Sequence, residues 1–468
     1  MKQNYKRLLL KLTIIIAICI FMTILFKEDG TKIYEVNSVN DIKDWIQKAS
    51  AENKKILVVT QSNKSTSHNK TYEYCNKGYF NLCLSNFNKV LELDSTKKVI
   101  RVQSHCTWFQ LVKILDPLNL TPKTTQAGLH FTIGGSICSN IHSKKIRSSL
   151  LIDSIKQIKF IDGTGTEHIV NEGEELFKAL FGSMGLLGII TEVTLYLEDN
   201  FQLEYSTVLC KRNEFYSELM NLYNHKNFYT CNFSINLNDS NDKAVFYSSF
   251  DTGKCHGEQF IEKNYNNTQS TKIMYSLKIF ICQIIIQFFN KEWGQNLIFD
   301  VSNNDSNSNA KYQCYNNFYA NWIMPLQKVE ILEIFFPLTP DVHKTLIELY
   351  NICSKYNKYL VSSGRMVKRN KQYPKEQSFL SFINDERTYV GTVLNYIEVA
   401  KNKPKFMKEL EEFIIRNEGT YHICYDNKFS KRTFRKLFPG WERFIEVKQR
   451  VDPNCVFSNS FYNDYLIN

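Results

Sequence analysis

Two stretches decide the reading. Residues 132–144 run Thr-Ile-Gly-Gly-Ser-Ile-Cys-Ser-Asn-Ile-His-Ser-Lys, and residues 181–192 run Phe-Gly-Ser-Met-Gly-Leu-Leu-Gly-Ile-Ile-Thr-Glu. Gly134-Gly135 permits close backbone approach at a helix start, and small residues follow it. Gly182, Gly185 and Gly188 do the same ahead of a strand. A Gly-Gly turn before a helix is by itself most often structural. The two together offer a flat aromatic ligand a surface of N–H donors with no side chains in the way. The chain has only 18 Gly in 468 residues, so such clusters stand out.

Working outward, short strands alternate with helices. Residues 39–51 read as a helix and 55–60 (KILVVT) as a buried strand. Strands follow at 81–84, 90–93 and 100–103, then a helix at 107–115. A strand at 155–161 meets the turn Asp162-Gly-Thr-Gly165 and continues at 167–170. A short helix at 176–181 and a strand at 188–196 complete the unit. From residue 200 the texture changes. Residues 201–250 read as strands rich in Tyr and Phe. Further strands are expected at 330–336, 380–382 and 389–396, with helices at 340–356 and 404–417. Both halves are α+β.

The pair of glycine stretches, in this order and around Asp153–Thr166, resembles the FAD-binding domain of the vanillyl-alcohol oxidase/p-cresol methylhydroxylase superfamily. Upstream, Phe87-Asn-Lys-Val-Leu-Glu-Leu-Asp and Val99-Ile-Arg-Val resemble the segment that precedes the motif there. The tail agrees. Glu418-Gly-Thr-Tyr-His-Ile, Phe434-Arg-Lys-Leu-Phe-Pro-Gly-Trp and Val447-Lys-Gln-Arg-Val-Asp-Pro-Asn-Cys-Val-Phe-Ser look like the C-terminus of the aldonolactone oxidase and decaprenylphosphoryl-ribose oxidase branches. The resemblance implies a two-subdomain FAD-binding domain over 31–200 and an α+β substrate, or cap, domain over 201–417. Residues 418–468 then return to the flavin domain. It implies FAD contacts from Thr132, Gly134, Gly135, Ser139, Asn140, His142, Gly185, Gly188 and Ile190.

One departure stands out. Members carry a glycine-rich loop after the first strand to hold the pyrophosphate. Here that loop is Thr60-Gln-Ser-Asn-Lys-Ser-Thr-Ser-His-Asn69, without glycine. Lys64, Ser65 and Ser67 can offer ammonium, hydroxyl and amide donors instead. One register places His68 where some members attach flavin covalently; the other places Lys64-Ser65 there. In the second half, Glu333 (Glu-Ile-Phe-Phe-Pro337) resembles the sugar-contacting carboxylate or amide of these oxidases. Lys368 resembles a substrate-contacting lysine. Tyr425 falls where one branch has an active-site lysine, which puts that branch's acid/base chemistry in doubt.

Composition bounds the rest. At 43% hydrophobic and 22% charged, the chain is globular rather than disordered. The excess of 58 Lys+Arg over 47 Asp+Glu is spread along the chain without a nucleic-acid signature, so no nucleic-acid partner is expected. The 13 Cys contain no C-x-x-C pair, they read as free core thiols, and no metal is expected. Residues 12–26 (LTIIIAICIFMTILF) carry no charge and follow Lys2, Lys6, Arg7 and Lys11. With residues 8–10 the run approaches the ~20 residues that cross a bilayer. A single-pass membrane anchor over residues 1–30 is expected, its side left open. The apolar run at 273–289 reads as a core or surface helix. The expected function is a membrane-anchored FAD oxidoreductase moving hydride from an alcohol or lactone C–H to flavin. Its substrate would be a polyol, a sugar lactone or a lipid-linked sugar. A flavin-dependent reductase of a sterol-like lipid and a non-catalytic membrane protein are the alternatives.

Overall fold

The computed structural model describes residues 32–59, 78–126, 128–146, 150–235, 242–255, 329–368, 378–383, 385–425 and 429–467. The expected anchor, the apolar run at 273–289 and the loop carrying Lys64, Ser65, Ser67 and His68 lie outside them. Among the described residues, no helix is long and apolar enough to cross a membrane.

The first half carries two sheets. Three parallel strands lie in the order Ile33–Glu35, Tyr79–Cys83, Lys55–Val59. Helix Val39–Ala51 covers them. Ser38 caps it by accepting from the Asp41 N–H, and Ile42, Ile46 and Ala49 form its buried stripe. The second sheet is antiparallel, in the order Val90–Asp94, Val99–Gln103, Gly188–Asp199, Ile155–Asp162, Glu167–Asn171, with Leu120–Pro122 added along Gly188–Asp199. Against strand Gly188–Asp199 lies the short helix Ile133–Cys138. Thr132 caps it, accepting from the Gly135 N–H. The buried Trp108 indole N–H donates to Ser136 Oγ at 2.8 Å and ties it to helix Trp108–Leu115.

The second half is one antiparallel sheet of seven strands. Its order is Phe201–Lys211, Lys243–Cys255, Phe228–Ile235, Lys358–Lys368, Thr388–Ile397, Val329–Pro337, Thr420–Tyr421. Side chains alternate across it. Thr392 faces helix Val342–Tyr356, where Tyr350 Oη meets its hydroxyl at 2.9 Å. Phe336 packs on Phe413 of helix Lys403–Arg416. The odd-numbered residues Glu333 and Phe335 point the other way, toward the first half.

Two expectations are corrected and one strand was missed. Residues 201–250 are not all strand: helix Phe215–Asn224 interrupts them, burying Phe215, Leu219 and Leu222 at helical spacing. Aromatic richness had masked that period. Strand Lys358–Lys368 was not anticipated, because its Ser-Ser-Gly centre reads as a turn. Residues 380–382 form no strand; Phe382 instead stacks on Phe335 with ring centres 4.7 Å apart.

Parts of the tail are hydrogen-bonded to the first half. Thr420–Tyr421 adds the last strand of the large sheet. Beyond it, Ile56 N–H donates to the Val456 carbonyl and Gly163 N–H to that of Val451. Lys448 anchors this segment. Its ammonium is buried against Asp452 and donates to the Phe457 carbonyl at 2.7 Å. Asp452 also accepts the Val456 and Phe457 N–H groups, both at 2.8 Å, so the buried charge is fully engaged.

Candidate active site

The two glycine stretches meet in space. Gly182 N–H donates to the Ile137 carbonyl and Met184 N–H to that of Cys138, so the 182–188 loop closes the end of helix Ile133–Cys138. From the tail, Asn459 Nδ2 donates to the Met184 carbonyl at 2.9 Å. Together they wall a cleft enclosing about 1290 Å³ of empty space, part of it open to solvent.

Thr132, Gly134, Gly135 and Ser139 line this cleft, as do Gly185, Gly188 and Ile190. The glycines divide by role. A Cβ on Gly135 would meet only Thr132 Oγ1, and one on Gly185 would meet nothing within 4 Å. Those two leave room for a ligand. Gly134 instead packs on Ser104, whose Cβ would lie 2.9 Å away, and Gly188 packs on the Ile161 carbonyl. The expectation that all four clear space for a ring is corrected: two of them serve the protein's own packing. Ser104 and His105, not anticipated, also line the cleft, and Ser104 Oγ and His105 Nε2 are buried without a protein partner. Backbone without side chains, apolar walls and orphaned polar atoms fit FAD. Gly135→Val should yield a folded protein with much weakened FAD binding, because the side chain enters the cleft. Flavin absorbance of the purified variant, beside its circular dichroism, checks this.

Asn140 and His142 do not line the cleft. Asn140, buried and left-handed at φ 48°, donates from Nδ2 to Ser378 Oγ at 3.2 Å. His142 turns to the large sheet. Its Nε2 lies 3.1 Å from Glu333 Oε1, and its ring meets Phe335 and Phe382 edge-on. Glu333 is the hub. Its other oxygen, Oε2, lies 3.4 Å from His422 Nδ1, and Arg365 Nε is 3.5 Å from Oε1. His422 Nε2 faces the carbonyls of Ser139 and Asn140 at 3.0 and 3.1 Å, and Cys424 Sγ lies 3.0 Å from its Nδ1. Cys424 in turn lines the cleft, which connects the cluster to it.

Charges follow from these contacts. Burial opposes ionisation of Glu333, but His142, Arg365 and His422 outweigh it and hold the carboxyl well below its usual range. Burial pushes His142 down against the pull of Glu333, which leaves its imidazole neutral. Burial also opposes protonation of His422, yet Cys424 and Glu333 raise it to about 10. Tyr425 sits by the same carboxylate. Burial and Glu333 push its phenol well up, so it keeps its proton and donates.

Lys368 is placed elsewhere. Three residues from Arg365 along the same strand, it faces the opposite side of the sheet, and its ammonium donates to Tyr223 Oη at 2.8 Å. Arg365, His422 and Cys424 were missed. His422 lay inside the tail string already noted, and its pairing with Glu333 was invisible without the fold.

This is the architecture of a flavin oxidoreductase: a dinucleotide cleft with a buried polar cluster at its wall. Residues 31–171 match the family model "FAD binding domain", and residues 311–465 match "D-arabinono-1,4-lactone oxidase". L-gulonolactone oxidase from Mus musculus is 19% identical over 451 residues, covering 92% of this chain and 93% of that protein. A putative D-arabinono-1,4-lactone oxidase from Neurospora crassa is 31% identical over 128 residues, 27% of this chain and 23% of that one. Alditol oxidase from a Streptomyces species is 22% identical over 111 residues, 24% and 27%. The chain belongs to the FAD-binding vanillyl-alcohol oxidase/p-cresol methylhydroxylase superfamily and is related to its aldonolactone oxidases. It is a FAD-linked oxidoreductase acting on CH–OH donors.

Proposed function

We propose that the protein oxidises a hydroxylated carbon of a small aldonolactone or polyol, with Glu333 holding the reacting hydroxyl. One observation carries this reading: a buried carboxylate from the large sheet is gripped by a histidine of the flavin-domain segment and a histidine of the returning tail, beside the cleft. Bound FAD supplies the hydride acceptor. Glu333 accepts the hydrogen bond of the substrate hydroxyl. Neutral His142, 3.1 Å away, is placed to receive the proton through the pair. Tyr425 and His422 donate to the carboxylate and fix its orientation. Ser104 and His105 bind the cofactor from the cleft wall. Lys368 has no part in this reading.

The test is anaerobic mixing of the flavin-loaded protein with a panel of aldonolactones and polyols. Bleaching of the flavin bands by one of them is expected. A loaded protein that none of them bleaches, but that a reduced pyridine nucleotide does, would be a reductase instead. The charge-free run at 12–26 supports a second element of the proposal, that the enzyme sits at a bilayer. Carbonate extraction of membranes should leave the full chain in the pellet; release into the supernatant refutes the anchor.

A further inference from the structure

We propose that Ser104 and His105 form the part of the cleft wall that takes the diphosphate of the dinucleotide, a group that a glycine-rich loop holds in the proteins this chain resembles. Both residues line the cleft, and Ser104 Oγ and His105 Nε2 are buried without a hydrogen-bond partner. A buried polar atom left unpaired is costly, so two of them on adjacent residues of a ligand wall mark where a polar part of the ligand belongs. Helix Ile133–Cys138 indicates which part, because its six residues lie along the cleft over about 9 Å. At its start, Gly134 N–H donates to the Ser104 carbonyl at 2.8 Å. Just past its end, the carbonyls of Ser139 and Asn140 face His422, which joins the Glu333 cluster. The flavin ring must reach the Glu333 end if Glu333 holds the reacting hydroxyl, and in this the inference rests on the function proposed above. The diphosphate, separated from the ring by the sugar-alcohol chain, then falls at the Ser104 end. There Gly135 leaves open space, since a Cβ on it would meet only Thr132 Oγ1.

The charges of the wall suit an anion. Among the described residues that line the cleft there is no carboxylate, no lysine and no arginine. A diphosphate meets no like charge from them, and an imidazole is the only one of their side chains that can oppose its own charge. Two histidines line the cleft. His130 packs its ring 4.3 Å from that of Phe131, and burial lowers it to about 4, so it stays neutral. Burial lowers His105 as well, but a bond to its own backbone favours the protonated ring. A hydrogen bond that favours protonation is one in which the ring donates to a carbonyl. With Nδ1–H engaged in that way, Nε2 donates only as imidazolium, the form that a phosphate oxygen stabilises. Ser104 Oγ–H donates without a change of charge. The thiols of Cys138 and Cys424 on the same wall are pushed up by burial and keep their protons. Hydroxyl and imidazolium donors thus supply charge-assisted bonds where a glycine loop would supply backbone N–H groups.

The experiment titrates the full chain, freed of flavin, with FAD and, by competition, with ADP, which carries the diphosphate without the flavin. His105→Ala and Ser104→Ala should each weaken both ligands about 10-fold or more, the cost of one hydrogen bond to a charged group. Wild-type affinity for FAD should fall as pH rises from 6 to 8, because a proton is taken up with the ligand. His105→Gln keeps an N–H donor that does not titrate, so it should recover much of the affinity and lose the pH dependence. Circular dichroism of the flavin-free variants reports folding; if His105→Ala does not fold, Ser104→Ala and His105→Gln decide. FAD affinity unchanged in the alanine variants removes both residues from cofactor binding. FAD weakened with ADP unchanged sets them against the flavin half and overturns the diphosphate assignment, as does a wild type from which a large excess of ADP displaces no FAD. A flat wild-type pH profile overturns the charged role of His105. Binding is read without an oxidisable donor, so these outcomes are independent of whether any lactone or polyol reduces the flavin.

Discussion

Glu333→Gln should leave FAD bound and slow its reduction by substrate about 10²–10³-fold, the usual cost of removing one preorganised electrostatic partner. Glutamine keeps the shape and one acceptor oxygen but removes the charge. Its NH₂ would then face the donors of His422 and Arg365, which now meet the carboxylate at 3.4 and 3.5 Å. Flavin content should not change, because Glu333 is not among the residues that line the flavin cleft. Stopped-flow bleaching under anaerobic conditions separates the two effects. Lys368→Met is the control: on the far side of the sheet against Tyr223, its loss should leave the reduction rate unchanged. Wild-type rates in Glu333→Gln would remove the carboxylate from the reaction, and loss of flavin would make its role structural.

The difference between Glu333 and Lys368 shows what a sequence can and cannot convey. The glycine stretches were legible because backbone approach leaves a local mark, a run of residues without bulk. Residues of both line the cleft, but Asn140 and His142 of the first stretch do not. Glu333 was named only through the family resemblance, by its place four before Pro337. The side that Lys368 faces was not legible, because strand parity decides it, and strand Lys358–Lys368 hides behind a Ser-Ser-Gly centre. The partners of Glu333 come from points far apart in the chain: His142, Arg365 and His422. No periodicity links them. Only the antiparallel order of the large sheet sets Arg365 on the carboxylate, and only the added strand Thr420–Tyr421 delivers His422, whose N–H donates to the Glu333 carbonyl at 2.9 Å. The glycine signal itself was read too simply, since it did not separate residues that clear a ligand from residues that clear a neighbouring strand.

Gly188→Ala tests that separation and should cost about 3 kcal/mol or more. Gly188 pairs with Asp162 where strand Gly188–Asp199 begins, at φ 146°. A Cβ there would stand 2.2 Å from the Ile161 carbonyl oxygen and 3.0 Å from Asp162 Cα. Both are backbone atoms of the neighbouring strand, so no side-chain rotation relieves the clash, and the sheet must open where it borders the cleft. Gly185 is the matched comparison. It also has positive φ, at 75°, but nothing lies within 4 Å of its missing Cβ. Gly185→Ala should therefore cost only the left-handed penalty of about 1–2 kcal/mol. Denaturant midpoints of the two variants read this difference, with flavin content beside them. Gly188→Ala is expected to lose both stability and flavin, and Gly185→Ala to keep most of each. Equal midpoints would mean that the two strands can part without cost, and that the glycine at 188 is there for the ligand after all.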